Sequence, residues 1–129
     1  MRVLVFGTFD GLHPGHRFLF DEAKKRGELM VVVARDANVM RFKGKTAKFD
    51  EEQRRQAIAE AYPEATVVLG DPQDVLAPVR ALKPDLILLG YDQRLPPGVT
   101  LDDLPAAVER AESFEPHKYK SSILHREAR

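Results

Sequence analysis

Short apolar runs alternate with helical patterns along this chain, and this alternation constrains the fold more than any other feature. The apolar runs span 3–6, 29–34, 65–69 and 85–89, and the helical patterns span 14–26, 50–62, 73–82 and 101–110. Runs that are apolar throughout are typical of strands covered on both faces, and helices between them make successive strands parallel. The sequence therefore predicts an α/β fold, a Rossmann-like doubly wound parallel sheet of about five strands with helices on both faces. A short last strand at 112–114 and a last helix at 121–127 complete the prediction.

Size and composition narrow the class of protein. The chain has 129 residues, the size of one domain, so 1–129 is predicted to be a single domain. Twenty basic residues balance 20 acidic ones, which argues against a general binder of nucleic acid or of acidic membranes. The chain contains no cysteine, which excludes thiol catalysis and zinc fingers and fits a reducing cytoplasm. No apolar run approaches the roughly 20 residues that span a bilayer, and the first residues lack the pattern of a signal peptide.

Three polar segments follow predicted strands and are the candidate functional segments. They are residues 7–16 after the first strand, 35–48 after the second and 90–93 after the fourth. Open parallel sheets bind ligands beyond the carboxyl ends of their strands, at the switch in strand order. The three segments are therefore expected to meet at one edge of the sheet.

The segment Gly7-Thr8-Phe9-Asp10-Gly11-Leu12-His13-Pro14-Gly15-His16 has the properties of a phosphate site. It leads into a helix whose N-terminus attracts anions, and Gly15 allows close approach of the backbone to a phosphate. His13 and His16 are three residues apart and can face one ligand, where imidazoles stabilise developing charge. A helix N-terminus also lowers imidazole pKa, so His16 is expected to donate as a neutral ring. A metal site completed by Asp10, or two incidental loop histidines, are the alternatives.

A cluster of positive charge follows the second predicted strand. The segment Arg41-Phe42-Lys43-Gly44-Lys45-Thr46-Ala47-Lys48 carries it in a chain of zero net charge. Lysine is a flexible point charge that can follow a phosphate. The alternative is an ordinary solvated loop. The place of this basic segment at the predicted binding edge of the sheet favours phosphate binding.

The pattern Thr8-Phe9-Asp10-x-x-His13-x-Gly15-His16 resembles the signature of the HxGH nucleotidylyltransferases, in their cytidylyltransferase-like branch. Leu89-Gly90-Tyr91-Asp92-Gln93 and Val32-Val33-Ala34-Arg35-Asp36 look more like the archaeal FAD synthases of that superfamily. Tyr119-Lys120-Ser121-Ser122-Ile123 resembles its late Ser-Ser/Thr motif. The chain departs from those relatives in lacking cysteines near this last motif, where no third hydroxyl follows the serines.

The resemblance implies roles for individual residues. His13, His16 and Lys43 are expected to be catalytic, by stabilising charge on the transferred phosphate. The residues expected to bind the nucleotide and its phosphates are Thr8, Phe9, Lys45, Arg54, Asp92, Ser121 and Ser122. The local sequence leaves alternatives open, because Asp92 can be a turn residue, the serines an ordinary helix cap and Phe9 a core residue.

The resemblance also implies a reaction. We expect transfer of AMP from ATP to FMN, giving FAD and pyrophosphate by direct in-line attack, with a divalent ion such as Mg²⁺ held mainly by substrate phosphates. The first alternative is cytidylyl transfer from CTP to glycerol 3-phosphate or a similar alcohol phosphate. A nucleotide-binding module without catalysis is a further alternative. The family suggests a homodimer and no nucleic-acid or membrane partner.

Overall fold

The computed structural model describes residues 1–112, in which five parallel strands form one sheet. The strands are β1 (Arg2–Gly7), β2 (Glu28–Val33), β3 (Thr66–Leu69), β4 (Leu86–Leu89) and β5 (Ala107–Arg110). Their order in the sheet is β3-β2-β1-β4-β5. The helices are α1 (Pro14–Arg26), α2 (Asp36–Lys43), α3 (Glu51–Ala61) and α4 (Ala77–Leu82), with a 3-10 turn at Leu101–Asp103. The predicted α/β class and parallel sheet are confirmed.

Both faces of the sheet are covered, as the apolar strands predict. Alternate residues of the central strands point to opposite faces, so Val3 and Val5 join one cluster and Leu4 joins the other. The first cluster contains Phe20 of α1 and Ile58 of α3, whereas the second includes side chains of α4. Within the described residues, no helix is long and apolar enough to cross a membrane.

The helix that follows the basic segment begins where the sequence predicts. The Asp50 carboxylate accepts a hydrogen bond from the Gln53 amide at 2.8 Å, and the Gln53 side chain accepts one from the Asp50 amide at 3.0 Å. This reciprocal cap satisfies two of the backbone donors that a helix N-terminus leaves unpaired. The cap fixes the start of α3 at Glu51, directly after the basic segment.

Strand order reverses at β1, which lies between β2 and β4. The β1–β4 ladder is short, with Val3 opposite Leu86 and Leu4 opposite Ile87. The loops that follow β1 and β4 leave in different directions, and a crevice opens between them at the carboxyl edge. The predicted location of a ligand site is therefore present in the structure.

Three sequence predictions of secondary structure need correction. The predicted helix at 101–110 is wrong, because Pro105 interrupts it and residues 107–110 pair with β4 as β5. The basic segment 41–48, interpreted as a loop, begins within α2, and the helix predicted to begin at Gln73 begins at Ala77 instead. The predicted strand at 112–114, apart from Glu112, and the helix at 121–127 lie outside the described residues.

Candidate active site

A cavity of about 1030 Å³ opens at the carboxyl edge of the sheet. The segments that follow β1, β2 and β4 all line it, as the fold predicts. Seven of the predicted site residues are among those that line it: Thr8, Phe9, His13, His16, Lys43, Lys45 and Asp92. The histidines and the basic segment, which lie about thirty residues apart in sequence, therefore share one cavity.

His13 is the N-cap of α1. Its Nδ1 accepts hydrogen bonds from the backbone amides of Gly15 at 3.1 Å and His16 at 3.4 Å. An Nδ1 that accepts carries no proton, so the neutral ring has its proton on Nε2. The cap therefore fixes the tautomer of His13 and leaves an Nε2–H donor on an exposed ring at the cavity.

The Nδ1 of His16 lies between two groups of opposite hydrogen-bonding character. The carbonyl oxygen of Gly11, 3.1 Å away, can only accept, so this contact is a hydrogen bond when Nδ1 carries a proton. The backbone amide of His13, 3.5 Å away, donates to the same nitrogen in the capping box of α1, which requires an unprotonated Nδ1. The first tautomer leaves Nε2 as an acceptor, and the second leaves an Nε2–H donor. The expectation that His16 donates as a neutral ring therefore stays a prediction.

The surroundings of His16 keep its ring uncharged. Burial and the neighbouring His13 lower the pKa of His16 to about 4, against the opposing effect of the hydrogen bond to Gly11. The rings of His13 and His16 are stacked with centroids 3.5 Å apart, and the edge of Phe9 closes another side of His16. A nearby negative charge, such as a phosphate, would favour the protonated form of the His16 ring.

The free energy of unfolding should decrease as the pH is lowered, because of His16. Its pKa is about 4 in the folded state against an unfolded value near 6.5, so the unfolded chain binds more protons between these values. The contribution of His16 is complete above about pH 6.5 and is lost as the pH falls towards about 4. We expect His16→Asn to lose less stability than the parent over this range, measured by urea unfolding at several pH values. Parallel curves for the two proteins would contradict this assignment.

Lys43 reaches the cavity from the last turn of α2. Its Nζ lies 2.9 Å from the hydroxyl oxygen of Thr8. The helix ends at Gly44, whose φ of 71° is in the left-handed region and whose amide bonds back to the carbonyl of Met40. A sharp helix end thus places Lys43 in the lining of the cavity that the His13–His16 pair also lines.

Asp10 anchors the far end of the basic segment. Its carboxylate accepts hydrogen bonds from the backbone amides of Lys48 at 2.7 Å and Phe49 at 2.9 Å. Burial opposes the charged form, but these two donors and the charge of Arg54 hold the pKa of Asp10 below its ordinary value. Within residues 1–112, no three acidic or histidine side chains are placed to hold a metal ion. The alternative of a metal site built from Asp10 and the two histidines thus gains no support.

Arg54 does not lie where the sequence predicts. Its side chain is fully buried and is absent from the cavity lining. The guanidinium donates to the backbone carbonyls of Phe49, Thr8 and Ala34 and to the carboxylate of Asp36. A buried guanidinium needs hydrogen-bond acceptors, and these three carbonyl groups and the carboxylate supply them in the interior. Arg54 therefore does not line the cavity, which corrects the prediction that it faces phosphate.

Two further residues shape the cavity without being predicted. The side-chain amide of Gln93 accepts from Gly90 N at 2.9 Å and donates to the carbonyl of Phe6 at 2.6 Å, so it bridges β4 and β1. Arg110 donates to the carbonyls of Gly90 and Gln93 and so holds the turn that presents Asp92. No local sequence pattern predicts these contacts, because Gln93 and Phe6 are far apart in the chain and Arg110 meets Gly90 only when β5 pairs with β4.

The Ser121 and Ser122 predictions lie outside the described residues. Lys48 is adjacent to the cavity-lining segment but is not itself part of the lining. Phe9 is buried in the core, as one of the alternatives predicted, and also lines the cavity, and its predicted contact with the nucleotide stays a prediction.

Comparisons with known proteins agree with this geometry. A family model described as cytidylyltransferase-like matches residues 4–126. The chain is 42% identical over 124 residues to the FAD synthase of Methanosphaerula palustris, covering 95% of this chain and 80% of that protein. It is 49% identical over 94 residues to the FAD synthase of Archaeoglobus profundus, covering 72% of this chain and 59% of that protein.

A solved structure shares the fold. The lipopolysaccharide core biosynthesis protein from Thermoplasma volcanium superposes with a TM-score of 0.76 at 36% identity, over 88% of this chain and 98% of that one. The family match covers nearly the whole chain and includes every segment that lines the cavity. The chain therefore belongs to the cytidylyltransferase-like family of nucleotidyltransferases, in the group of the archaeal FAD synthases.

Proposed function

We propose that the chain transfers AMP from ATP to FMN. A phosphate oxygen of FMN attacks the α-phosphorus of ATP, the bond between that phosphorus and the α–β bridging oxygen breaks, and pyrophosphate leaves. The observation that carries this proposal is the cavity that is lined both by the His13–His16 pair and by Lys43 and Lys45. The names of the most similar relatives support ATP and FMN as the substrates, and we expect the reaction to take place in the cytoplasm.

The reaction needs positioning and charge stabilisation more than a protein nucleophile. The amides of Gly15 and His16 at the N-terminus of α1 already donate to His13 Nδ1, so this helix end contributes its positive dipole, and the Nε2–H of His13 supplies a donor to the phosphates. The negative charge of a bound polyphosphate favours protonation of His16 at Nε2, which turns that nitrogen into a second donor. Lys43 and Lys45 neutralise charge on the transferred group and on the leaving pyrophosphate.

A divalent cation is part of the proposal as a companion of the substrate. Since the described residues form no acidic or histidine cluster for it, the phosphates themselves would supply most of its ligands. An ion such as Mg²⁺ supplies neutralisation of phosphate charge in this kind of reaction. The protein side of the site would remain the cationic and imidazole groups described above.

The direct test measures pyrophosphate release by the purified protein with Mg²⁺ present. ATP plus FMN should release pyrophosphate and form FAD, identified by chromatography and mass. CTP plus glycerol 3-phosphate is the comparison. Release only with the second pair would favour the cytidylyl transfer, and nucleotide binding without release under either condition would favour a non-catalytic module.

Replacing Lys43 with methionine tests the cationic side of the site. We expect Lys43→Met to lower kcat/KM by about tenfold or more, because a hydrogen bond to a charged group contributes roughly 1.5–3 kcal/mol. Lys25→Met is the matched control, since Lys25 is an exposed lysine paired with Glu22 on α1 and lies outside the cavity lining. Equal activity of the two variants in steady-state assays would remove Lys43 from the reaction.

A further inference from the structure

Arg54 is the one charged residue that the fold buries within residues 1–112, with a side-chain exposure of 0%. Burying a guanidinium costs several kcal/mol unless its donors are all satisfied. Here each of the three guanidinium nitrogens has a partner, and no buried side-chain nitrogen or oxygen in the described part of the chain lacks one. The question is which parts of the molecule this buried group holds together.

The three carbonyl partners of Arg54 come from three segments that border the cavity. Nη1 donates at 2.9 Å to Thr8 O and at 2.9 Å to Ala34 O, just after β1 and β2. Nε donates at 3.0 Å to Phe49 O, at the end of the basic segment. A guanidinium is a rigid planar fork, so these bonds fix the three segments relative to one another.

The fourth partner extends the connection to α2. Nη2 of Arg54 donates at 2.6 Å to Asp36, the first residue of the helix that ends at Lys43. Asp36 and Glu51 also exchange backbone-to-carboxylate hydrogen bonds, at 2.8 Å and 3.1 Å, which lock the starts of α2 and α3 together. The placement of α2 therefore depends on the same buried group.

Two routes lead from Arg54 to the ammonium group of Lys43. One runs through the Thr8 backbone, because the Thr8 hydroxyl lies 2.9 Å from Lys43 Nζ. The other runs through Asp36 and the length of α2. Both routes end at Lys43, which lines the same cavity as the two histidines.

We propose that Arg54 is a positioning residue for the transfer reaction. It holds Thr8, Lys43 and the segment 44–49 at the distance from the His13–His16 pair that in-line transfer requires, without touching substrate. The proposal rests on the proposed function, in which Lys43 contacts phosphate. Displacements of about 1 Å at such a site can cost on the order of 10²-fold in rate, so loss of this anchor should reduce activity even in folded protein.

The first experiment compares two neighbouring arginines. Arg54→Met removes the anchor, whereas Arg55→Met removes an exposed arginine that pairs with Glu52 on the surface of α3. Folding is checked by circular dichroism and urea unfolding, and kinetics are measured where each variant is folded. We expect kcat/KM to fall by about tenfold or more in Arg54→Met and to stay within about twofold in Arg55→Met.

A double-mutant cycle separates positioning from general stability. If Arg54 acts through Lys43, the combined Arg54→Met and Lys43→Met variant loses less activity than the product of the two single losses. A merely structural role predicts that the two losses multiply. A folded Arg54→Met variant with the kcat/KM of the parent, or losses that multiply, would overturn the proposal.

Two additions keep the test decisive. If Arg54→Met does not fold, Asp36→Asn weakens the same anchor while it keeps an oxygen acceptor, and the same cycle with Lys43→Met is measured. Calorimetric binding of ATP provides a readout that does not depend on FMN as acceptor. Failure of the parent protein to make FAD would count against the proposed function alone, whereas parent-like ATP affinity and independent losses in the anchor variants would count against this inference.

Discussion

Replacing His16 with asparagine should lower turnover by about 10²-fold or more while the protein stays folded, which is the loss expected when one key donor to the transition state is removed. Asparagine can keep the hydrogen bond that His16 Nδ1 makes to the Gly11 carbonyl at 3.1 Å, but it has no counterpart of Nε2. The variant therefore removes the nitrogen that the proposed reaction assigns to the phosphates and preserves the loop. The measurement is steady-state pyrophosphate release with saturating substrates.

The neighbouring positions supply controls for this result. Arg17→Ala changes an exposed residue of α1 outside the cavity lining and should leave turnover within about twofold. His13→Asn keeps a side chain that caps helices well, so it should retain stability while it loses the Nε2–H donor. Turnover of His16→Asn within a few-fold of the parent would remove His16 from the mechanism.

The second large effect is on stability and concerns the support beneath the histidines. Phe20 of α1 is fully buried and contacts the rings of Phe9 and Tyr62 edge-on, with centroids 4.9 Å and 5.2 Å away. Phe9 in turn contacts His16, so a continuous aromatic cluster runs from the core to the cavity. We expect Phe20→Ala to lower the free energy of unfolding by about 3–5 kcal/mol, because it leaves a cavity in a close-packed core.

Urea unfolding monitored by circular dichroism measures this loss. Phe49→Ala is the matched control, since Phe49 is 38% exposed and its truncation should cost less than about 1 kcal/mol. Phe20→Leu, which refills most of the volume, should recover much of the lost stability. Similar unfolding midpoints for the Phe20→Ala and Phe49→Ala variants would show that the aromatic cluster does not support the fold in this way.

The two histidines differ in chemistry although they belong to one motif. The Nδ1 of His13 caps α1, so its ring proton is on Nε2, whereas the Nδ1 of His16 lies between the Gly11 carbonyl, an acceptor, and the His13 amide, a donor. Burial keeps the pKa of His16 low. In the proposed reaction, the negative charge of a bound phosphate would favour protonation of the His16 ring, so the charged donor would form when the phosphate is present.

Several features of the fold follow from neighbouring residues and were predictable. The apolar runs that became β1 to β4, the Asp50 cap of α3 and the histidine segment at the start of α1 all depend on patterns within about ten residues. The helix prediction at 101–110 was wrong because the pairing of β5 with β4 outweighs local helix propensity there. Pro105, which disfavours a helix interior, was the sequence signal against that helix.

Patterns in the sequence were enough to predict the class of fold, the edge of the sheet at which the cavity lies, and the histidine and lysine residues that line it. Only the folded chain shows that Arg54 is buried among backbone carbonyls, that Gln93 joins β1 to β4 and that the Nδ1 of His16 lies between Gly11 and His13. The difference comes from the range of the interactions. Hydropathy and helix capping act between near neighbours in sequence, whereas a buried polar group is defined by partners that only the folded chain brings within 3 Å or so.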